Sequence, residues 1–171
     1  ALALNKGLMG YRGWREQDAN STVLAHGRVV ILPTLRHFAA YAGPERGRFS
    51  FSASVPEPHM RYTFLPAWRR LIAAGAVGGV MSAITAVNGA PSVADARLLQ
   101  GVLRDEWGYL GHVISDCDTV PAETDSFHFT SNVQEASATA LSAGGDINCG
   151  KEYAALLNAS LDGLLPSETL D

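Results

Sequence analysis

What most constrains this chain is a unit that recurs along it. A short apolar run is followed by a polar loop, an amphipathic stretch with a capping signal, a glycine, and the next apolar run. The runs are Val29–Leu32, Gly79–Ala83, His112–Ser115 and the weaker Gly145–Asn148. The first three are unbroken and rich in branched residues, the pattern of strands covered on both faces. A helix between successive strands makes them parallel neighbours joined by right-handed crossovers. The class is therefore α/β, and a doubly wound sheet and a (β/α)8 barrel both satisfy it. A barrel takes about 250 residues, and this chain has 171.

The helical stretches carry their own signals. Glu57–Ala74 places Met60, Phe64, Trp68 and Leu71/Ile72 on one stripe, with Ser54 and Glu57 at capping-box spacing. Pro66 inside it should kink or divide the helix. Asp95–Trp107 starts at a capping Asp95 and stops at Gly108. Asn132–Ala143 has Ser131 and Gln134 at its start and turns Val133, Ala136, Ala140 and Leu141 inward. Glu152–Asp162 turns Tyr153, Leu156/Leu157 and Leu161 inward. Tyr11–His26 reads as a loop or frayed helix. The long loop Phe38–Ser54 is a functional candidate, because long ordered loops in compact domains usually have a role. Ala1–Met9 reads as the middle or end of one helix and Pro166–Asp171 as the start of another, so the chain is expected to be a fragment of a longer protein.

Composition removes several function classes. Lys and Arg number 13 against 17 Asp and Glu, a net charge of -4, which offers nothing to nucleic acid or an anionic membrane. No apolar run is long enough to span a bilayer. The five histidines show no paired ligand spacing, so no metal is expected, and no cofactor motif is present. Two cysteines make neither a disulfide framework nor a zinc ribbon. They are read first as small buried apolar residues. Each follows one of two successive strands, so their Cα atoms are also within reach of a bridge.

Ligands of parallel α/β folds meet the carboxyl ends of the strands. Arg36 and His37 follow the first run, Ile84, Thr85 and Asn88 the second, and Asp116, Cys117 and Asp118 the third. Asn148 and Cys149 follow the fourth, with Asp146 inside it. Charged groups at successive strand ends suit a polyhydroxylated ligand. The plainer readings stand beside this one: an Asp after a strand as a cap, His37 and Arg36 as a structural pair, and Asn88-Gly89 as a turn.

Several stretches resemble glycoside hydrolase family 3. Arg36–Gly47 (RHFAAYAGPERG) is similar to its Lys-His-Phe motif and loop, and Arg48–Ala53 (RFSFSA) and Tyr62–Trp68 (YTFLPAW) to the next stretch. Gly79–Pro91 (GVMSAITAVNGAP), Leu98–Asp118 (LLQGVLRDEWGYLGHVISDCD) and Ala143–Gly150 (AGGDINCG) follow in the family's order. The Ser-Asp-Cys-Asp and Asp-x-x-Cys-Gly spellings are closest to the β-xylosidase and arabinofuranosidase branch. The resemblance implies that residues 1–171 are a single fragment of the family's N-terminal (β/α)8 barrel, roughly its last four β/α units. It implies a retaining, exo-acting glycosidase of β-xylosidase, arabinofuranosidase or β-glucosidase type, acting on terminal sugars of plant-type oligo- and polysaccharides. Asp116 would be the nucleophile, and Arg36 and His37 would bind sugar hydroxyls, with no cofactor and no metal. The acid/base usually comes from a downstream domain, and a first half-barrel usually precedes, so the isolated chain is expected to be inactive. The resemblance suggests a secreted or periplasmic protein, and the sequence itself does not give the compartment.

Three positions depart from the family pattern. Arg36 replaces a Lys, and a planar fork needs more room than an ammonium. Ile84 and Thr85 stand where the family usually has Tyr-Asn, which removes a hydroxyl beside Asp116. Ala42 stands where a polar residue is common. The alternative reading is a catalytically inactive carbohydrate-binding or structural remnant of such a barrel.

Overall fold

The computed structural model describes residues 31–166 together with Leu4 and Thr169. The loop expected at Tyr11–His26, most of both terminal helices, and the first two residues of the run Val29–Leu32 lie outside the described residues.

The chain runs through β1 (Thr34–Phe38), β2 (Ser52–Ala53), α1 (Glu57–His59), a π-helical turn (Met60–Phe64), α2 (Pro66–Ala73) and β3 (Gly79–Ser82). It continues through β4 (Ala86–Val87), β5 (Ala90–Pro91), a π-type helix (Arg97–Glu106), β6 (His112–Ile114), α3 (Thr119–Asp125) and α4 (Val133–Ser142). A 3₁₀ turn (Glu152–Ala155) leads into α5 (Leu156–Leu161). β1, β3 and β6 form one parallel sheet in chain order, and Ile147 adds a parallel bridge to Ile114. The strands expected at Gly79 and His112 are therefore parallel neighbours. Gly79 is needed for this packing, since a Cβ there would collide with His112 and Thr34 on the strands to either side.

The first strand is not the apolar run Val29–Leu32. Ile31 and Leu32 are exposed and belong to no strand, and pairing begins after Pro33. Proline has no N–H for a ladder, so the paired segment is Thr34–Phe38, and Arg36 and His37 lie within the strand instead of after it. The fourth expected strand is reduced to the single Ile147 bridge.

The core lies between this sheet and the helices over it. Phe38, Val80 and Val113 come from the strands, and Leu98, Leu99, Val102 and Leu103 from the π-type helix. Met60, Leu65, Trp68 and Ile72 add the layer over β1, where Phe38 meets the Trp68 ring edge-on at 5.0 Å. Pro66 does divide the first helix, standing at the start of α2. The Ser54–Glu57 box does not form, because the helix starts after Pro56 without a side-chain cap. Asp95 caps as expected, accepting from Leu98 N–H at 3.2 Å.

The cap of α4 is one residue later than the spacing predicts. Asn132 accepts from Glu135 N–H at 2.9 Å, and Glu135 accepts from Ser131 N–H at 2.8 Å. Val133 and Leu161, expected inward, are 41% and 77% exposed. Asn88-Gly89 is a turn, with positive φ at both residues, joining the antiparallel β4 and β5. This hairpin and β2 form a second small sheet that the sequence pattern did not announce. Among the described residues no helix is long and apolar enough to cross a membrane.

Candidate active site

Asp116 follows β6 directly, at the carboxyl end of the sheet. Its backbone is pinned by α3, whose first residue, Thr119, donates through Oγ1 to the Asp116 carbonyl at 2.7 Å. Asp116 Oδ1 accepts from Cys117 N–H at 2.8 Å. That bond fixes one oxygen and leaves Oδ2 to face β1. His37 arrives from β1, and its Nε2 stands 3.0 Å from Asp116 Oδ2. Neither atom completes a hydrogen bond among the described residues. The side chains keep 18% and 11% of their surface, enough for a ligand to touch them and too little for bulk water to solvate them.

Two further buried atoms near the same ends lack partners: Ser82 Oγ on β3 and Thr85 Oγ1 just beyond it. Buried polar atoms are normally satisfied. With His37 Nε2 and Asp116 Oδ2, these two make four buried, unpartnered polar atoms at three adjacent strand ends.

Burial pushes the His37 imidazole below its ordinary 6.5, and the charges of Arg36 and Arg48 push the same way, against Asp116. A neutral imidazole results, with one ring nitrogen donating and the other accepting. The loop Phe38–Ser54 builds this environment. Tyr41 packs edge-on against His37 at 5.1 Å and donates to Glu45 at 3.2 Å. Glu45 also pairs with Arg48, which lies over Phe49.

The remaining candidates separate. Arg36 is exposed and lines a cleft of about 160 Å³ with Leu35, Ala67, Trp68 and Leu71. Among the described residues it has no ion pair or hydrogen bond, and its charge reaches His37 only through space. Asp146 is structural: it accepts from Arg104 at 2.7 Å and from Val113 N–H at 2.6 Å. Asn88 binds both backbone groups of Val55, at 2.8 and 2.9 Å. Of the nearby carboxylates, Asp118 and Asp125 are exposed, and Glu123 is wholly buried on α3.

Cys117 and Cys149 are not buried thiols. They form a disulfide with a Cα separation of 4.6 Å, and Cys117 is exposed. Strand-end position and the resemblance of its Ser-Asp motif both indicated Asp116. Tyr41, Arg48 and Glu152 come from loops and a 3₁₀ turn that no periodicity marks.

A parallel α/β sheet with Asp116 and His37 side by side at its carboxyl ends has its candidate site where ligands of such folds bind. The chain belongs to glycosyl hydrolase family 3, whose N-terminal-domain model matches residues 5–170. An exo-1,4-β-xylosidase, bxlB, of Emericella nidulans is 37% identical over 148 residues, 82% of this chain and 19% of that protein. A β-xylosidase/α-L-arabinofuranosidase of Medicago sativa subsp. varia is 32% identical over 153 residues, 87% of this chain and 19% of its own. Among solved structures, a family 3 exo-β-xylosidase, XlnD, in complex with a xylobiose aziridine activity-based probe superposes with a TM-score of 0.78 at 29% identity. That match covers 83% of this chain and 19% of the other. A β-glucosidase of Erythrobacter marinus gives a TM-score of 0.81 at 29% identity, over 98% and 21% of the two chains. The chain thus spans about a fifth of the length of these relatives.

Proposed function

We propose that this chain is a single fragment, roughly the last four β/α units, of the (β/α)8 barrel of a retaining exo-glycosidase. It acts on terminal xylose, arabinose or glucose units of plant-type oligosaccharides. The observation that carries the reading is the His37–Asp116 contact, with Asp116 Oδ2 buried and unpartnered at a strand end. Asp116 Oδ2 attacks the anomeric carbon, the glycosidic C–O bond breaks, and a glycosyl ester forms on Asp116. Oδ1, engaged by Cys117 N–H, keeps the carboxylate from rotating away. Neutral His37 and the exposed Arg36 hold sugar hydroxyls beside it, His37 from the pocket and Arg36 from its edge. Water then releases the sugar with its configuration retained.

Retention needs a second carboxyl group about 5–5.5 Å from the nucleophile to protonate the leaving oxygen. The described residues provide no acid facing Asp116 in that role, and general acid help is worth about 10²–10⁴-fold. The reading therefore expects no hydrolysis of xylo-oligosaccharides by the isolated residues 1–171.

The test is covalent labelling of the complete enzyme that carries this chain. A xylose-configured aziridine should attach to Asp116 as an ester, the aziridine C–N bond opening, and Asp116→Asn should take up none. Label on a different carboxylate would overturn the assignment. One observation favours a second reading, an inactive carbohydrate-binding remnant: buried Ile84 lines the end of β3 with hydrocarbon beside the polar strand ends. Under that reading xylose binds and no label appears.

A further inference from the structure

Ser115, the residue before Asp116, is held by a chain of hydrogen bonds. Ser115 Oγ donates to Asn148 Oδ1 at 3.1 Å and accepts from Cys149 N–H at 2.8 Å. Asn148 Nδ2 donates to Glu152 Oε2 at 2.7 Å. Lys151 N–H donates to the same oxygen at 3.0 Å.

The direction of each bond follows from donor counting. An ionised carboxylate only accepts, so Glu152 turns the Asn148 amide with its NH₂ toward itself and its oxygen toward Ser115. The single hydroxyl proton of Ser115 goes to that oxygen, which leaves its lone pairs for Cys149 N–H. Cys149 is joined by its disulfide to Cys117, the residue after Asp116. Ser115, Asp116 and Cys117 therefore close a ring through the S–S bond, Cys149 and the Cys149 N–H to Ser115 Oγ bond.

Gly150 belongs to the same device. A Cβ at that position would collide with Glu152 Oε2 and press on Asn148 Nδ2. The carboxylate can reach back to Asn148 only because residue 150 has no side chain.

We propose that Ser115, Asn148 and Glu152 form a positioning relay for Asp116, with Glu152 as its remote anchor. The relay sets the direction in which the Asp116 carboxylate leaves the end of β6, and none of its three members touches the sugar. This rests on Asp116 being the nucleophile. Misplacing a reacting atom by about 1 Å can cost about 10²-fold in rate, so a relay that limits tilt acts on the chemical step and not on binding.

The test uses the complete enzyme and the xylose-configured aziridine, measuring the labelling rate at saturating probe and the half-saturating concentration separately. Ser115→Ala and Glu152→Ala should each slow saturated labelling about tenfold or more, with half-saturation nearly unchanged. Glu152→Gln should recover most of that loss, because one amide oxygen can accept from both Asn148 Nδ2 and Lys151 N–H. A residue that merely stabilised the fold would lower the melting temperature and would not split rate from half-saturation in this way. Glu152 is partly exposed, so Glu152→Ala decides the matter if Ser115→Ala does not fold. Unchanged saturated labelling in Glu152→Ala overturns the relay, as does a loss that Glu152→Gln does not recover. Label on Asp116 with unchanged variant rates sinks the relay alone. Label on another carboxylate in the unsubstituted enzyme sinks the nucleophile assignment and the relay with it.

Discussion

Ile84 is the residue at which this site departs furthest from a polar strand-end surface. It is 7% exposed, immediately before the unpartnered Thr85 hydroxyl. Asp116 Oδ2 is the carboxylate oxygen with no donor, so a phenol placed at position 84 can supply one. Ile84→Tyr in the complete enzyme is expected to raise turnover by orienting Asp116. It should also lower the melting temperature, since overfilling a packed site costs roughly 1–3 kcal/mol. Steady-state kinetics and a thermal melt on the same preparation check both halves, and unchanged or reduced turnover would show that position 84 does not address Asp116. His37 and Asp116 could be named from the sequence because each lies at or near the end of an extended segment, within a stretch that resembles a family 3 motif. Ser115 and Glu152 were not legible. Their link depends on Gly150 leaving room for the Glu152 carboxylate beside Asn148, and one glycine among 17 carries no such message.

At the scale of elements, β3 and β6 were readable because a strand buried on both faces has little choice but branched apolar residues. The same reasoning misplaced β1. Val29–Leu32 has the apolar content, but Thr34–Phe38 has the uninterrupted N–H groups beyond Pro33, and ladder pairing is a backbone property. The hairpin β4–β5 was half visible, as its Asn88-Gly89 turn, while its two-residue strands were too short to show a period. The α4 cap shows how a one-residue slip arises. Ser131 and Asn132 are both good caps, and Glu135, which lies at the matching distance from Asn132, settles the choice by bonding back to Ser131 N–H. Asn132→Ala is therefore expected to cost about 1 kcal/mol, and Ser131→Ala much less, because the Ser131 side chain plays no part in the cap. Urea titrations of the two variants measure the difference. Equal losses would mean that the cap has no preference for Asn132.

For the molecule as a whole, the group with the largest pH dependence among the described residues is Glu123. It is 0% exposed, both its oxygens lack partners, and burial raises its pKa from 4.5 to about 8, with the Glu135 charge adding to the rise. The folded state therefore keeps this proton through neutrality, while the unfolded chain gives it up near pH 4.5. Stability from this group is fully present below about pH 4.5 and is lost as pH rises toward about 8. The whole change is on the order of 5 kcal/mol. Unfolding free energy measured from pH 5 to pH 8 should fall along that window, and Glu123→Gln should flatten the fall. A profile unaffected by Glu123→Gln would show that the carboxyl is solvated in the native state. The disulfide acts at this scale as well, because closing a loop of its length restrains the unfolded chain by roughly 3–4 kcal/mol. Its two cysteines are only 32 positions apart. Closing the bond takes two electrons from the pair of thiols, so the residue beside Asp116 gains this restraint only where an oxidant meets the chain.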